Sequence, residues 1–331
     1  MKKTIIYFII FAVLLVIITL ACRKEKNISD VVLSSTSLFL LPSETAILTA
    51  TIYPNDVQNK NISWSSSNLK VATVENGLVK AISEGTTLIT VTTEMGNITA
   101  NCLVTVNLHP AEPEMVFVEG GTFMMGCNDS ICNSFYIPRH QVTLSSFYIA
   151  KYPVTQKQWM ALMGENPSVY KGDDMPVNNI TWHKTQYFIN YLNEITGKNY
   201  RLPTEAEWEF AARGGNKSEG YRYSGSDNLD EVAWFLDNSE GKLHPVGKKK
   251  PNELGIYDMS GNIREWCSDW HDYYLDIPQI NPTGPEKGRY HLTRGGYFNT
   301  NNHFCIVWAR NAVLHDPVFF TFGFRLVLPC D

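Results

Sequence analysis

The sequence predicts two folded domains behind an export signal: an all-β sandwich, then an α+β domain. Length is the first observation, since 331 residues exceed what a single core usually organises. The second is a run of short Val-, Ile-, Thr- and Leu-rich segments between 31 and 107, separated by Ser, Asn, Gly and Pro. The third is a change of pattern after Met115. There, three helices with readable ends precede a stretch rich in Gly, Asn, Asp and aromatic residues.

At the start of the chain, Lys2 and Lys3 precede an apolar run from Ile5 to Leu20 that ends in Leu20-Ala21-Cys22. A basic start, an apolar core and a small residue before cysteine read as a bacterial secretory signal over 1–21. The cysteine looks like that of a lipobox, which makes Cys22 the diacylated first residue of the mature chain. A transmembrane anchor is the other reading, although about 16 to 18 apolar residues is near the lower limit for a span. Both readings tether the rest of the chain to a membrane, outside the cytoplasm. The expected location is the bacterial cell envelope, at the outer membrane or cell surface, with the periplasmic face left open. Residues 22–30 are polar and read as a tether.

The segments Leu38–Leu41, Ala46–Tyr53, Ile62–Ser65, Val71–Val74, Leu78–Ile82 and Thr86–Thr93 read as strands of the first domain, 31–107. Thr86 to Thr92 alternates with period two, so one face is buried and the other wet. Residues 108–114, with Pro110 and Pro113, read as an extended linker. The second domain, 115–331, opens with Val116–Gly126, read as a hairpin turning at Gly120-Gly121. Thr155 caps a helix over Gln156–Met163, with Gln158 completing a capping box and Gly164 as the stop. Thr181 caps a second, with Tyr187, Phe188, Tyr191, Leu192 and Ile195 at helical spacing and Gly197 at its end. Thr204 and Glu207 form another capping box, leading Trp208, Ala211 and Ala212 into Gly214. Beyond Gly215, irregular loops on a small sheet are expected, closing with the strand Gly323–Val327.

A net charge of −5 with no basic stripe argues against a nucleic-acid partner. Lys248-Lys249-Lys250 reads as a solvated turn. Of seven cysteines, lipidation consumes Cys22. An exported setting permits disulfides among the others. Cys127 and Cys132 can close a small ring, and Cys305 can bond Cys267 or Cys330 or stay a small buried residue. No spacing typical of a zinc site occurs. Asp258 and Glu265, on either side of Gly261, offer hard oxygens that suit Ca²⁺. A metal-free turn, in which Asn262 and Glu265 bond backbone amides, is the alternative.

Residues 31–107 resemble the bacterial Ig-like group 2 domain in Ile62-Ser63-Trp64-Ser65-Ser66-Ser67, Val71-Ala72-Thr73-Val74, Gly77–Ala81 and Gly85-Thr86-Thr87. That resemblance implies a spacer, with Trp64 as core packing. Four further motifs stand in order: Gly120–Gly126, Arg201–Glu209, Leu254–Trp266, and Arg294-Gly295-Gly296 with Gly323-Phe324-Arg325-Leu326. Together they resemble the formylglycine-generating enzyme, or sulfatase-modifying factor, family. The resemblance implies a C-type lectin-like α+β fold. It also implies a structural Ca²⁺ held by the Asp258 and Glu265 side chains and the Gly261 and Ile263 carbonyls. The family's oxidase converts a sulfatase cysteine to formylglycine with O₂ and Cu(I), the metal being held by two cysteines. Counting from Arg294-Gly295-Gly296, those positions fall at Thr300 and Cys305. A hydroxyl is a poor Cu(I) ligand, so copper is not expected and the domain reads as catalytically incomplete. If the chain were nevertheless an oxidase, Cys305 would be its catalytic residue, acting with a substrate cysteine. His303 is a second possible partner, since the two would share a face if this stretch were a strand.

Around the segment from Tyr297 to Phe322 the anchors that the resemblance implies, Arg294-Gly295-Gly296, Arg310-Asn311, Pro317 and Gly323-Phe324-Arg325, are present, with large apolar and aromatic residues between them. Part of it should form an exposed apolar patch, and such patches mark binding sites. The candidate ligand contacts are Tyr297, Asn299, Thr300, Asn301, His303, Phe304, Ile306, Trp308, Leu314, His315, Phe319 and Phe320. The mixture resembles the diversified segment in variable proteins of diversity-generating retroelements, which use the same lectin-like fold. Three functions stay open: a lipid-anchored binder of a protein or glycan, a formylglycine-generating oxidase with altered copper ligands, or a structural subunit of an envelope machine.

Overall fold

The computed structural model describes residues 27–129, 132, 134–314 and 320–330. The signal and Cys22 lie outside the described residues, as do Pro317 and the candidate contacts His315 and Phe319. Among the described residues no helix is long and apolar enough to cross a membrane. The chain divides into two compact units between Leu108 and His109.

The first unit is built from β1 (Asp30–Leu33), β2 (Ser37–Leu40), β3 (Thr45–Ile47), β4 (Ala50–Tyr53), β5 (Ile62–Ser66), β6 (Ala72–Glu75), β7 (Leu78–Ala81), β8 (Gly85–Thr93) and β9 (Thr99–Val106). They form sheets ordered β2-β9-β8-β5, β3-β7-β6 and β1-β4. The expected alternation along β8 is observed: Thr87, Ile89, Val91 and Thr93 point inward. They meet Val79, Cys102 and Val104 in an apolar core, with Trp64 packed against it. The expected strand 46–53 is split into β3 and β4, because buried Leu48 bonds across to the Gly77 carbonyl. Gly77 is obligatory there: its φ is +83°, and a Cβ would lie 2.3 Å from the Leu48 oxygen. The tether ends earlier than the sequence suggested, for Ile28 is buried in this core and Ser29 bonds Tyr53.

The second unit contains β10 (Met115–Val118), β11 (Gly121–Met125), β12 (His140–Leu144), β13 (Phe147–Ala150), α1 (Gln156–Met163), α2 (Trp182–Thr196), α3 (Glu205–Ala212) and α4 (Leu229–Val232). It continues with β14 (Arg264–Trp270), β15 (Gln279–Ile280), β16 (Tyr290–Arg294), β17 (Arg310–Leu314), β18 (Phe322–Gly323) and β19 (Val327–Pro329). The main sheet runs β17-β16-β14-β18, beside β10-β13-β19 and β11-β12-β15. Thr155, Thr181 and Thr204 cap α1, α2 and α3 as expected. The boxes with Gln158 and Glu207 are both formed, which satisfies otherwise orphaned amides. Trp159 of α1 stacks on Phe188 of α2 at 5.3 Å, and Phe324 closes the cluster edge-on.

Three expectations fail here for identifiable reasons. Gly120-Gly121 does not turn a hairpin; β10 pairs with β13 and β11 with β12, so the glycines pass the chain from one sheet to another. A Cβ on Gly120 would sit 2.6 Å from the Leu144 carbonyl. Residues 109–113 are not an extended linker. Ala111 is in the core, and Glu112 is buried with its carboxylate on Lys198 and Tyr200. Gly323–Val327 is not one strand, because Phe324–Leu326 carry the chain from β18 to β19 while Arg325 plunges inward.

Candidate functional site

The motifs that carried the resemblance converge on a buried ion-pair frame. The N-terminal cap of α3 starts the helix at Glu205, which places Glu205 and Glu209 on its inner side, both buried. Glu205 accepts from Arg294 Nε at 2.9 Å and from Arg310 Nε and a terminal nitrogen at 2.7 and 2.6 Å. Glu209 accepts from Arg294 and Arg213 and from the Gly126 amide. Burial pushes its carboxyl up, but the guanidinium groups of Arg213 and Arg294 outweigh this and hold it below the usual range. A second pair joins β14 to the C-terminus: Arg325 grips both Glu265 oxygens at 2.6 and 2.7 Å, and Trp208 Nε1 donates to one of them at 2.7 Å.

That pair bears on the expected calcium site. A guanidinium already neutralises Glu265 and both its oxygens are engaged, so it does not present itself to a cation. Asp258 accepts from the Gly247 amide at 2.7 Å, and burial raises its carboxyl to about 6. Gly261 and Ile263 are buried, and the Gly261 amide donates to the Gly295 carbonyl. The Arg325 guanidinium thus holds the Glu265 carboxylate that the expected Ca²⁺ would need, and calcium has no part in the function proposed below.

Cys305 sits at the end of a 3-10 turn, Asn302–Cys305, not on a strand. His303 and Cys305 consequently do not share a face: His303 is exposed and Cys305 fully buried, which removes the mixed nitrogen–sulfur site. Thr300 Oγ1 lies 3.9 Å from Cys305 Sγ, so the counted position does face the thiol, and it carries a hydroxyl. Burial pushes the Cys305 thiol up to about 12, against the weaker pull of Thr300 and Arg264. Cys305 belongs to an apolar cluster with Tyr223, Leu229, Val232, Phe235 and Ile306. Ser260 Oγ donates to the Cys305 carbonyl at 2.8 Å, and a Cβ on Gly296 would lie 3.0 Å from the sulfur. The crevice nearby, lined by Gly295, Gly296, Phe304 and Arg310, holds about 10 Å³. Cys102, Cys267, Cys305 and Cys330 are free, and Cys127–Cys132 is a disulfide, so of the pairings left open only the small ring is formed.

The expected ligand surface is divided. Asn299, Asn301, His303, Phe304, Leu314 and Phe320 are exposed, and Tyr297 and Trp308 are half-buried. Thr300 and Ile306 are buried and drop out as contacts: Thr300 bonds Tyr297 and Ile306 fills the cluster around Cys305. Phe298, Val307 and Val313 are core as well. Arg264 was not singled out by the sequence. Its guanidinium lies 5.0 Å from the Tyr297 ring, and burial lowers its proton affinity. Its position in the Leu254–Trp266 motif gave no sign of this, because Tyr297 lies far along the chain.

A family model for the sulfatase-modifying factor enzyme 1-like domain matches residues 103–329, and one for the bacterial Ig-like domain (group 2) matches 28–104. The chain is 40% identical over 235 residues to chaperone protein LppX of Paenibacillus barcinonensis, covering 55% of this chain and 78% of that one. It is 31% identical over 192 residues to the formylglycine-generating enzyme of Streptomyces coelicolor, covering 52% and 59% respectively. It is 28% identical to serine/threonine-protein kinase Pkn1 of Chlamydia trachomatis, but spans 38% of that protein's length. Among solved structures, Treponema denticola variable protein 1 superposes with a TM-score of 0.61 at 28% identity, covering 72% of this chain and 98% of that one. PvdO from Pseudomonas aeruginosa gives a TM-score of 0.58 at 28% identity, covering 66% and 95%. The frame of Glu205, Glu209, Glu265, Arg294 and Arg325, preceded by the β sandwich, thus has a family: this chain belongs to the sulfatase-modifying factor enzyme 1-like proteins, here carrying a bacterial Ig-like domain and a C-type lectin-like fold.

Proposed function

We propose that this chain is a lipid-anchored binding protein of the bacterial cell envelope, held through Cys22. In this reading its lectin-like unit binds a ligand instead of oxidising one. The observation that carries the reading is the pairing of buried Cys305 with the Thr300 hydroxyl at 3.9 Å. Cu(I) chemistry calls for soft thiolate ligands. One position offers a hydroxyl, and the other a thiol that burial keeps protonated near neutrality. The Cys305 side chain is also fully buried, so a peptide does not meet it at the surface. The Ig-like unit would act as a spacer.

The ligand would meet the exposed part of the C-terminal segment: Asn299, Asn301, His303, Phe304, Leu314 and Phe320, with Tyr297 and Trp308 at the edge. Aromatic and apolar groups beside amides suit a protein surface. The similarity to a protein named as a chaperone favours a protein over a glycan. The likeness to Treponema denticola variable protein 1 supports a diversified segment. A near-copy of the gene's 3′ end beside a reverse-transcriptase gene is the expected genomic signature, and its absence would remove that refinement.

The test is Cu(I) titration under reducing conditions, comparing the native protein with Thr300→Cys. The native protein is expected to show no one-to-one Cu(I) complex, and Thr300→Cys to gain one. Tight stoichiometric Cu(I) binding by the native protein, lost in Cys305→Ala, would restore the oxidase reading.

A further inference from the structure

A concavity lies where no sequence motif pointed. Residues 270–285, the end of β14 and the segment that follows it, leave a cavity of about 340 Å³ over the start of α3. That is within the range of small-ligand sites, roughly 300–1,000 Å³. Its walls include Glu205, Asp269, Trp270, Tyr273, Tyr274 and Arg310, and none of residues 297–308 lines it. It is therefore separate from the C-terminal surface, and occupation of the cavity does not require that surface to bind anything.

The charges in this cavity are unequally matched. Arg310 is committed: it pairs with Glu205 at 2.7 and 2.6 Å, donates to the Asp272 carbonyl at 2.9 Å and lies 4.1 Å from the Tyr274 ring centre. Asp269 is not so matched. It is only 5% exposed and lines the cavity. Its Oδ2 accepts from the Glu205 amide and from Ser268 Oγ, both at 2.9 Å. Among the described residues its Oδ1 accepts no hydrogen bond and it has no ion-pair partner. Above about pH 7, where burial no longer keeps Asp269 protonated, its carboxylate has no cation in contact, and one supplied by a ligand would offset the cost of its burial. The exposed Asp272 adds negative charge to the lining, and the exposed apolar groups of Tyr273 and Leu275 form the rim.

We propose that this cavity binds a primary ammonium group on a short alkyl chain, with the ammonium donating to Asp269 Oδ1. Tyr273 supplies an exposed ring for the charge, and Trp270 and Leu275 supply apolar surface for the alkyl chain. An anion would meet Asp269 with no uncommitted guanidinium to hold it, and a neutral ligand would leave the carboxylate uncompensated. A lysine side chain of a polypeptide and a free diamine share this chemistry.

Calorimetric titration of the full chain in detergent micelles at pH 8.5, where Asp269 is ionised, tests it. The probes are cadaverine, N-acetyl-lysine methylamide and the uncharged N-acetyl-norleucine methylamide. At least one charged probe should bind saturably, tenfold or more tighter than the norleucine probe. Preference for the lysine amide marks a polypeptide ligand, and preference for cadaverine a free diamine. Asp269→Asn should weaken binding at least tenfold. Thr283→Lys, at the exposed mouth, should abolish it without touching the core, and it decides the matter alone if Asp269→Asn fails to fold. The proposal is overturned if neither charged probe saturates, if the norleucine probe binds equally well, or if both folded variants bind like the native protein.

Discussion

The two units of this chain are held together by different physics. In residues 27–108 the buried set is apolar apart from Thr87 and Thr93. In residues 109–330 it includes Glu112, Glu205, Glu207, Glu209, Asp258, Glu265, Asp269, Arg294, Arg310 and Arg325. The Ig-like unit is held chiefly by the apolar side of alternating strands, whereas the lectin-like unit also needs particular charged partners. The residues that make the family recognisable are largely spent on that framework: Arg294 and Arg310 on Glu205, Arg325 on Glu265. They identify the fold with great specificity and leave the chemistry of Thr300 and Cys305 free to diverge. A family signature made of structural ion pairs is therefore poor evidence of the family's activity.

Breaking the Glu265–Arg325 pair should have the largest effect. Arg325→Leu leaves a carboxylate buried and uncompensated, at a cost of about 3–5 kcal/mol. Thermal unfolding should show the lectin-like transition lowered or lost and the Ig-like transition unmoved. Equal loss in both would mean that the units do not differ as described.

The next largest effect is a pH dependence confined to the second unit. Burial raises Asp269 to about 7 and Asp258 to about 6. Both folded values exceed the unfolded value, roughly 3.9. The folded state then holds protons that the unfolded state releases, so stability falls as pH rises from about 4 to about 7 and levels off above. At roughly 1.4 kcal/mol per pH unit, Asp269 alone contributes a loss of at most roughly 4 kcal/mol across that window. Asp269→Asn keeps an acceptor for the Glu205 amide and should flatten the slope, measured as melting temperature against pH. An unchanged slope would show that Asp269 does not titrate in that range.

A smaller change sharpens the other side of the comparison. Ile89→Val, in the apolar core of β8, should cost about 1 kcal/mol, and by the same amount at pH 5 and pH 8. The smallest expected effect is that of calcium. With Glu265 held by Arg325, neither added Ca²⁺ nor a chelator should shift the lectin-like transition. A stabilisation of several degrees by Ca²⁺ would show that a cation competes for that carboxylate.

Much of this architecture was legible in the sequence where the signal is local. The three helix caps, the alternation of β8 and the Cys127–Cys132 ring each depend on residues within a few positions of one another. What escaped the sequence is long-range. Nothing in Asp258–Glu265 announces that Glu265 is claimed by Arg325, and nothing in Val116–Gly126 shows that β10 and β11 serve different sheets. Strand β9, Thr99–Val106, was not singled out as an element. The C-terminal segment was half legible. The large residues between its anchors were expected to form a surface in part, and the 3-10 turn at Asn302–Cys305 turns Cys305 and Ile306 inward while leaving His303 and Phe304 outside. The cavity beneath 270–285 could have been suspected from the dense run His271-Asp272-Tyr273-Tyr274-Leu275-Asp276, but its depth depends on Glu205 and Arg310, far away in the chain.

The central claim concerns whether a lone buried thiol can oxidise a substrate, and one measurement meets it directly. A cysteine-containing sulfatase-type peptide is incubated with the purified protein, Cu(I), a reductant and O₂, and its mass is followed. An unaltered peptide is the expected result. Conversion of its cysteine to an aldehyde, lost in Cys305→Ala, would contradict it.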